Sequence, residues 1–113
     1  MPKIDNAFFG SILIDGRKYE NDLYVHWDGE IRERQKTHNF TKTEFEDLAL
    51  KDPEVIVIGT GMSGMLKIDA AAATAASVHG IQLLPVKTPE AVQRFNALAR
   101  MKKRVIAVLH ATC

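Results

Sequence analysis

The chain is poor in cysteine: Cys113 is the single one among 113 residues. An internal disulfide is therefore excluded, which fits a reducing compartment. Long apolar runs are missing too, since no stretch approaches the ~20 residues a helix needs to cross a bilayer. The amino-terminal Met1-Pro2-Lys3-Ile4-Asp5 carries no signal-peptide core. These absences lead to the expectation of a soluble, cytoplasmic protein. Neither sign of charge prevails, with 15 Lys plus Arg against 14 Asp plus Glu and a formal net charge of +1. That balance argues against nucleic acid or an anionic membrane as partner. One basic cluster, Arg100, Lys102, Lys103 and Arg104, falls where a helix should end, and the helix dipole favours cations there. No internal repeat, low-complexity segment or linker interrupts the chain. A single domain over residues 1–113 is expected, large enough to bury a core without disulfides or metal.

What is present reads first as strands and turns. Ser11-Ile12-Leu13-Ile14 runs into Asp15-Gly16, and Leu23-Tyr24-Val25-His26-Trp27 into Asp28-Gly29. Asp-Gly between apolar runs suits a two-residue hairpin turn, so this part should be antiparallel. Along the second run Leu23, Val25 and Trp27 give a wholly apolar face, and Tyr24 and His26 an amphipathic one. Thr41-Lys42-Thr43-Glu44 has capping-box spacing: the threonine hydroxyl takes one free backbone N–H and the glutamate reaches back for another. A helix is predicted from there to about Lys51, before Pro53.

From Glu54 the pattern changes. Val55-Ile56-Val57-Ile58 is continuously apolar and β-branched, as expected of a central strand covered on both faces. Asp69 is placed to cap a helix over residues 70–79, with Gly80 in the left-handed position that ends it. A strand over residues 81–86 follows. Thr88-Pro89-Glu90 opens another helix, with proline at its first position and Val92, Phe95, Leu98 and Ala99 on one apolar stripe. The last strand covers residues 105–109. The expected fold is a three-layer α/β domain: a mixed central sheet with a parallel βαβαβ half, right-handed crossovers and an antiparallel hairpin half.

Parallel strands finish on one edge, where ligands of open α/β sheets bind. That edge should collect Thr60, Gly61, Met62, Ser63 and Gly64, then Lys87 and Thr88, then His110, Thr112 and Cys113. Together they offer amides, hydroxyls, an ammonium, an imidazole and a thiol, a set suited to a partner or a small anion. The plainer alternative is that the glycines turn the chain and the hydroxyls cap it.

Gly59-Thr60-Gly61-Met62-Ser63-Gly64 matches the dinucleotide fingerprint in letters. Its context fails: the helix cap is at Asp69, and no acid stands where the ribose would need one. Gly61-Met62-Ser63-Gly64-Met65 lacks the last glycine of the nucleophile elbow, and the chain is too short for an α/β-hydrolase. Three residues apart on an extended chain, His110 and Cys113 should face opposite ways unless the chain turns after Leu109. Cys113 is therefore read as a packed tail residue. His26, His38, His79 and His110 have no metal-ligand spacing among themselves. Neither a metal nor a cofactor is expected.

Five ordered segments carry a family resemblance: Asp22-Leu23-Tyr24-Val25-His26-Trp27, Val57-Ile58-Gly59-Thr60-Gly61-Met62-Ser63, His79-Gly80-Ile81, Thr88-Pro89-Glu90-Ala91-Val92 with Phe95-Asn96-Ala97-Leu98, and His110-Ala111-Thr112-Cys113. From about Phe8 to the end the chain resembles the Mth-type domain family. That family includes a mammalian adipogenesis-associated protein and, more distantly, a mitochondrial complex I assembly factor. The resemblance implies a compact three-layer α/β domain. It implies no catalytic residues, and Gly61, Ser63, His110 and Cys113 transfer only as signature positions. The expected function is a non-enzymatic interaction or assembly module with a protein partner, self-association being open. The alternative is a small polar or anionic ligand binder, or an enzyme, using the rim.

Overall fold

The structure, a computed structural model, describes residues 3–113; Met1 and Pro2, part of the stretch read for a signal sequence, lie outside the described residues. In chain order the strands are β1 (Ile4–Phe8), β2 (Ser11–Ile14), β3 (Arg17–Tyr19), β4 (Asp22–His26), β5 (Ile31–Arg34) and β6 (Asn39–Phe40). Helix α1 (Lys42–Ala49) precedes β7 (Val55–Gly59), β8 (Lys67–Ile68), α2 (Ala70–His79), β9 (Gln82–Val86), α3 (Thr88–Arg100) and β10 (Val105–Leu109).

The central sheet has five strands in the order β5-β4-β10-β7-β9. β10 and β9 flank β7 in parallel, as two successive strand-helix-strand units require. β4 lies antiparallel against the other side of β10, with Leu109 opposite Leu23, and the β4–β5 hairpin turns at Asp28-Gly29. The predicted mixed sheet is thus present, with β10 rather than β7 at its middle. The first hairpin departs from the expectation. It pairs with β1, a strand the pattern did not announce, in a separate three-stranded antiparallel sheet.

Period-two alternation sorts the side chains into two cores. Val105, Ala107 and Leu109 of β10, with Val55 and Val57 of β7, face Phe95, Val92 and Ala91 of α3 and Ile4, Ile12 and Ile14 of the small sheet. Ile106, Val108, Ile56 and Ile58 face Phe45 and Leu48 of α1 and Ala72 and Ala76 of α2. β7 and β10 are buried along their whole length, which is why both read as unbroken apolar runs.

Several caps differ in detail. Thr41 accepts the Glu44 N–H as predicted, but the Glu44 carboxylate does not return to the cap. It binds Tyr24 Oη and the Arg34 guanidinium, which compensates a buried charge. Asp69 stands at the start of α2 without a side-chain capping bond, whereas Gly80 ends the helix at φ +69° as expected. The cap of α3 is Lys87, one residue earlier than predicted, and this releases the Thr88 hydroxyl for other bonds.

Candidate functional site

The carboxyl ends of β7, β9 and β10 meet at one rim, where the segments 59–66, 86–88 and 110–113 are laced together. His110 N–H extends the β10–β7 ladder to the Gly59 carbonyl at 3.0 Å. The buried Thr88 hydroxyl accepts from Gly61 N–H at 2.9 Å and donates to the His110 carbonyl at 2.7 Å. Thr60 N–H and its hydroxyl both donate to Val86 O. Met62 N–H donates to Thr112 O at 2.7 Å, and Met65 N–H to Cys113 O at 2.9 Å. Gly61, at φ +102°, leaves no room for a side chain, since a Cβ there would lie 2.6 Å from Cys113 O and 2.8 Å from His110 Cδ2. The amides of residues 60, 61, 62 and 65 are therefore spent within the rim, and the loop is a lock on residues 110–113.

Around this lock Ser63 and Lys87 are exposed, and Met62 is half-buried against the core. Gly64, at φ +72°, has the Lys87 side chain beside it: a Cβ there would lie 3.9 Å from Lys87 Cε. No helix begins at Gly64; α2 starts at Ala70, beyond β8, so the fingerprint's letters do not form a dinucleotide turn. Three cavities, beside α1 and α2, between β4 and α1, and near β9, have none of the described rim residues in their lining.

The main correction concerns His110 and Cys113. Beyond Leu109 the chain leaves the strand conformation, and the two side chains share a side instead of facing apart. His38, from the loop between β5 and β6, joins them. The donor atoms of His38, His110 and Cys113 all lie within 4.8 Å of one another. Cys113 Sγ is 3.6 Å from His38 Nε2, and the two imidazoles meet edge to face at 5.0 Å between centroids. His38 is held at its backbone, where its carbonyl accepts Lys67 N–H at 2.8 Å next to the β6–β8 pairing.

Behind this cluster runs a buried polar chain that the sequence reasoning missed. Asp22 accepts from His110 Nδ1 at 2.8 Å, from Ala111 N–H at 2.9 Å and from Arg34 at 2.8 Å. Arg34 continues to Glu44 and to the carbonyls of Thr37 and Asn39, and so shapes the loop that carries His38. Burial opposes the Arg34 charge, but the hydrogen bond to Glu44 and the attraction of Glu44 and Asp22 outweigh it and hold the guanidinium above its usual pKa. Burial, reinforced by Glu44, pushes the Tyr24 phenol well up. With Nδ1 engaged by the Asp22 carboxylate, Nε2 is the remaining ring nitrogen of His110. That atom is buried and has no hydrogen-bond partner among the described residues.

A three-layer α/β domain with a locked rim and a histidine-cysteine cluster is the class that fold and site define. The chain matches the model of the family described as "Protein of unknown function (DUF498/DUF598)" over residues 4–110, and it belongs to that family. Among solved structures, the conserved hypothetical protein PH1505 from Pyrococcus horikoshii OT3 is 28% identical, with 98% of this chain and 99% of that one covered at a TM-score of 0.83. A protein described as MT938 is 30% identical over 100% of both chains at a TM-score of 0.81. A Bordetella pertussis protein described as an Mth938-like domain shares the fold at 15% identity and a TM-score of 0.80, with 97% of this chain and 85% of that one covered. The Mth-type domain expected from the five segments is thereby shown.

Proposed function

We propose that the domain is a non-enzymatic interaction module, of the assembly-factor kind, that docks a protein partner through the rim at the ends of β7, β9 and β10. The supporting observation is where apolar surface is left uncovered. Phe8, Phe9 and Met65 are 51%, 69% and 51% exposed. They lie on two loops whose backbones are tied to the same short stretch, Gly10 N–H to Ala111 O at 2.7 Å and Met65 N–H to Cys113 O at 2.9 Å. Exposed large apolar side chains on loops tied to one rim are what an interaction surface presents. Exposed Lys67 and Lys87 border the same loop and favour a partner segment that sets acidic residues beside apolar ones. Because the amides of residues 60, 61, 62 and 65 are spent on residues of the rim itself, a preformed contact surface is better supported than an anion cradle.

The test compares Phe9→Asp with Leu50→Asp, an exposed apolar position just after α1, before β7 begins. A partner purified with the wild-type chain and reconstituted from pure components should bind Phe9→Asp at least about 10-fold more weakly, with Leu50→Asp unchanged. Equal binding by both variants, or a second copy of this chain as the only partner in sedimentation, overturns the reading.

A further inference from the structure

We propose that His38, His110 and Cys113 form a zinc site with Asp22 as its outer-shell carboxylate. This inference stands apart from the docking surface, since it rests on donor atoms rather than apolar exposure. The donor set is two imidazoles and one thiol, the ligands zinc prefers, all within 4.8 Å of one another. A tetrahedral ion with bonds of ~2.3 Å to sulfur and ~2.0 Å to nitrogen places those two ligands about 3.5 Å apart. Cys113 Sγ and His38 Nε2 stand 3.6 Å apart.

The independent sign is His110. Its ring is fully buried, Nδ1 is bound to Asp22 at 2.8 Å, and Nε2 has no hydrogen-bond partner among the described residues. A buried polar atom left without a partner is costly, and a metal bond removes that cost. Carboxylate to Nδ1, with Nε2 left for the ion, is the arrangement that fixes a ligating histidine's tautomer and raises its basicity. Arg34 and Ala111 N–H hold the Asp22 carboxylate in turn, so the outer shell is itself supported. His110 is the rigid ligand. Exposed His38 and half-buried Cys113 bring their side chains to the ion from backbones that hydrogen bonds hold in place, His38 O to Lys67 N–H and Cys113 O to Met65 N–H. Binding exchanges the Cys113 thiol proton, released to solvent, for a sulfur–zinc bond. Three protein ligands leave a fourth position open to water or a small ligand.

The experiment titrates chelator-treated full-length protein with Zn2+ alone and, for spectroscopy, with Co2+. The expected result is one ion per chain and a Co2+ spectrum with tetrahedral d–d bands and a sulfur-to-cobalt charge-transfer band. His38→Ala and Cys113→Ser, at positions outside the buried core, should keep the wild-type circular dichroism and each weaken Zn2+ binding at least about 10-fold. Asp22→Asn should weaken it too, but Asp22 also holds Arg34, so the first two variants carry the test. Three results overturn the proposal: no saturable Zn2+ binding, binding that neither variant changes, or an octahedral Co2+ spectrum without the charge-transfer band.

Discussion

Asp22 and His110, 88 residues apart in the chain, share a buried 2.8 Å hydrogen bond at the edge where β4 begins and the antiparallel β10 ends. The same carboxylate pairs with Arg34, whose side chain is 1% exposed. Arg34→Met removes the cation that pairs with both Asp22 and Glu44 and leaves the two carboxylates without that compensation. A loss of about 3–5 kcal/mol is expected. Urea denaturation followed by circular dichroism measures it, and a change under about 1 kcal/mol, roughly a fivefold shift in the folding equilibrium, would show that the pair is not structural.

Thr88 ties the rim through its hydroxyl. Thr88→Val keeps the shape but leaves Gly61 N–H and the His110 carbonyl unpaired in a buried place, each costing about 1–3 kcal/mol. Thr88→Ser should restore most of the loss. A valine variant as stable as the serine variant would contradict the clasp.

Gly61→Ala combines a left-handed backbone with a direct clash against Cys113 and His110. It should cost about 1–3 kcal/mol and displace residues 110–113. Gly16→Ala, also at positive φ but with no atom within 4 Å of its Cβ, is the control and should cost less. Equal melting temperatures for the two variants would refute the close approach.

His26 supplies a pH dependence. Its ring is fully buried and both nitrogens lack hydrogen-bond partners among the described residues, so burial, with Lys51 adding repulsion, lowers its pKa. Glu30 and Asp28 oppose the shift and Arg32 adds to it. The unfolded chain takes up a proton near pH ~6.5, and the folded chain resists. Stability is therefore unaffected above that value and falls as the pH drops below it, by at most ~1.4 kcal/mol per pH unit from this group. His26→Leu should flatten the stability profile between neutral and mildly acidic pH. A profile unchanged by the substitution would contradict the assignment.

The legible parts of this fold are those whose signal is local. Asp15-Gly16 and Asp28-Gly29 announce their hairpins, Gly80 ends α2, and the β-branched run at Val55 marks a strand buried on both faces. The rim followed, because two strand-helix-strand units fix which ends of the strands coincide. Asp22 was not legible as part of the site. Its meeting with His110 depends on β4 lodging against β10, a pairing no local pattern encodes. His38 was hidden for the same reason: it lies in a loop without periodicity, 75 residues from Cys113. Spacing along the chain carries no sign of the cluster of His38, His110 and Cys113, which is assembled across it. Glu44 and Thr88 show the reverse case, since both have the residue type and position of caps, and buried partners elsewhere claim their side chains.

The most direct test of the central claim, that the rim is the docking surface, is amide hydrogen exchange of the chain with and without its partner. Slowed exchange confined to residues 8–10, 61–65 and 111–113 is the predicted result. Protection that falls instead on the exposed faces of α1 and α2, around Leu50 and Val78, with the rim unchanged, would contradict it.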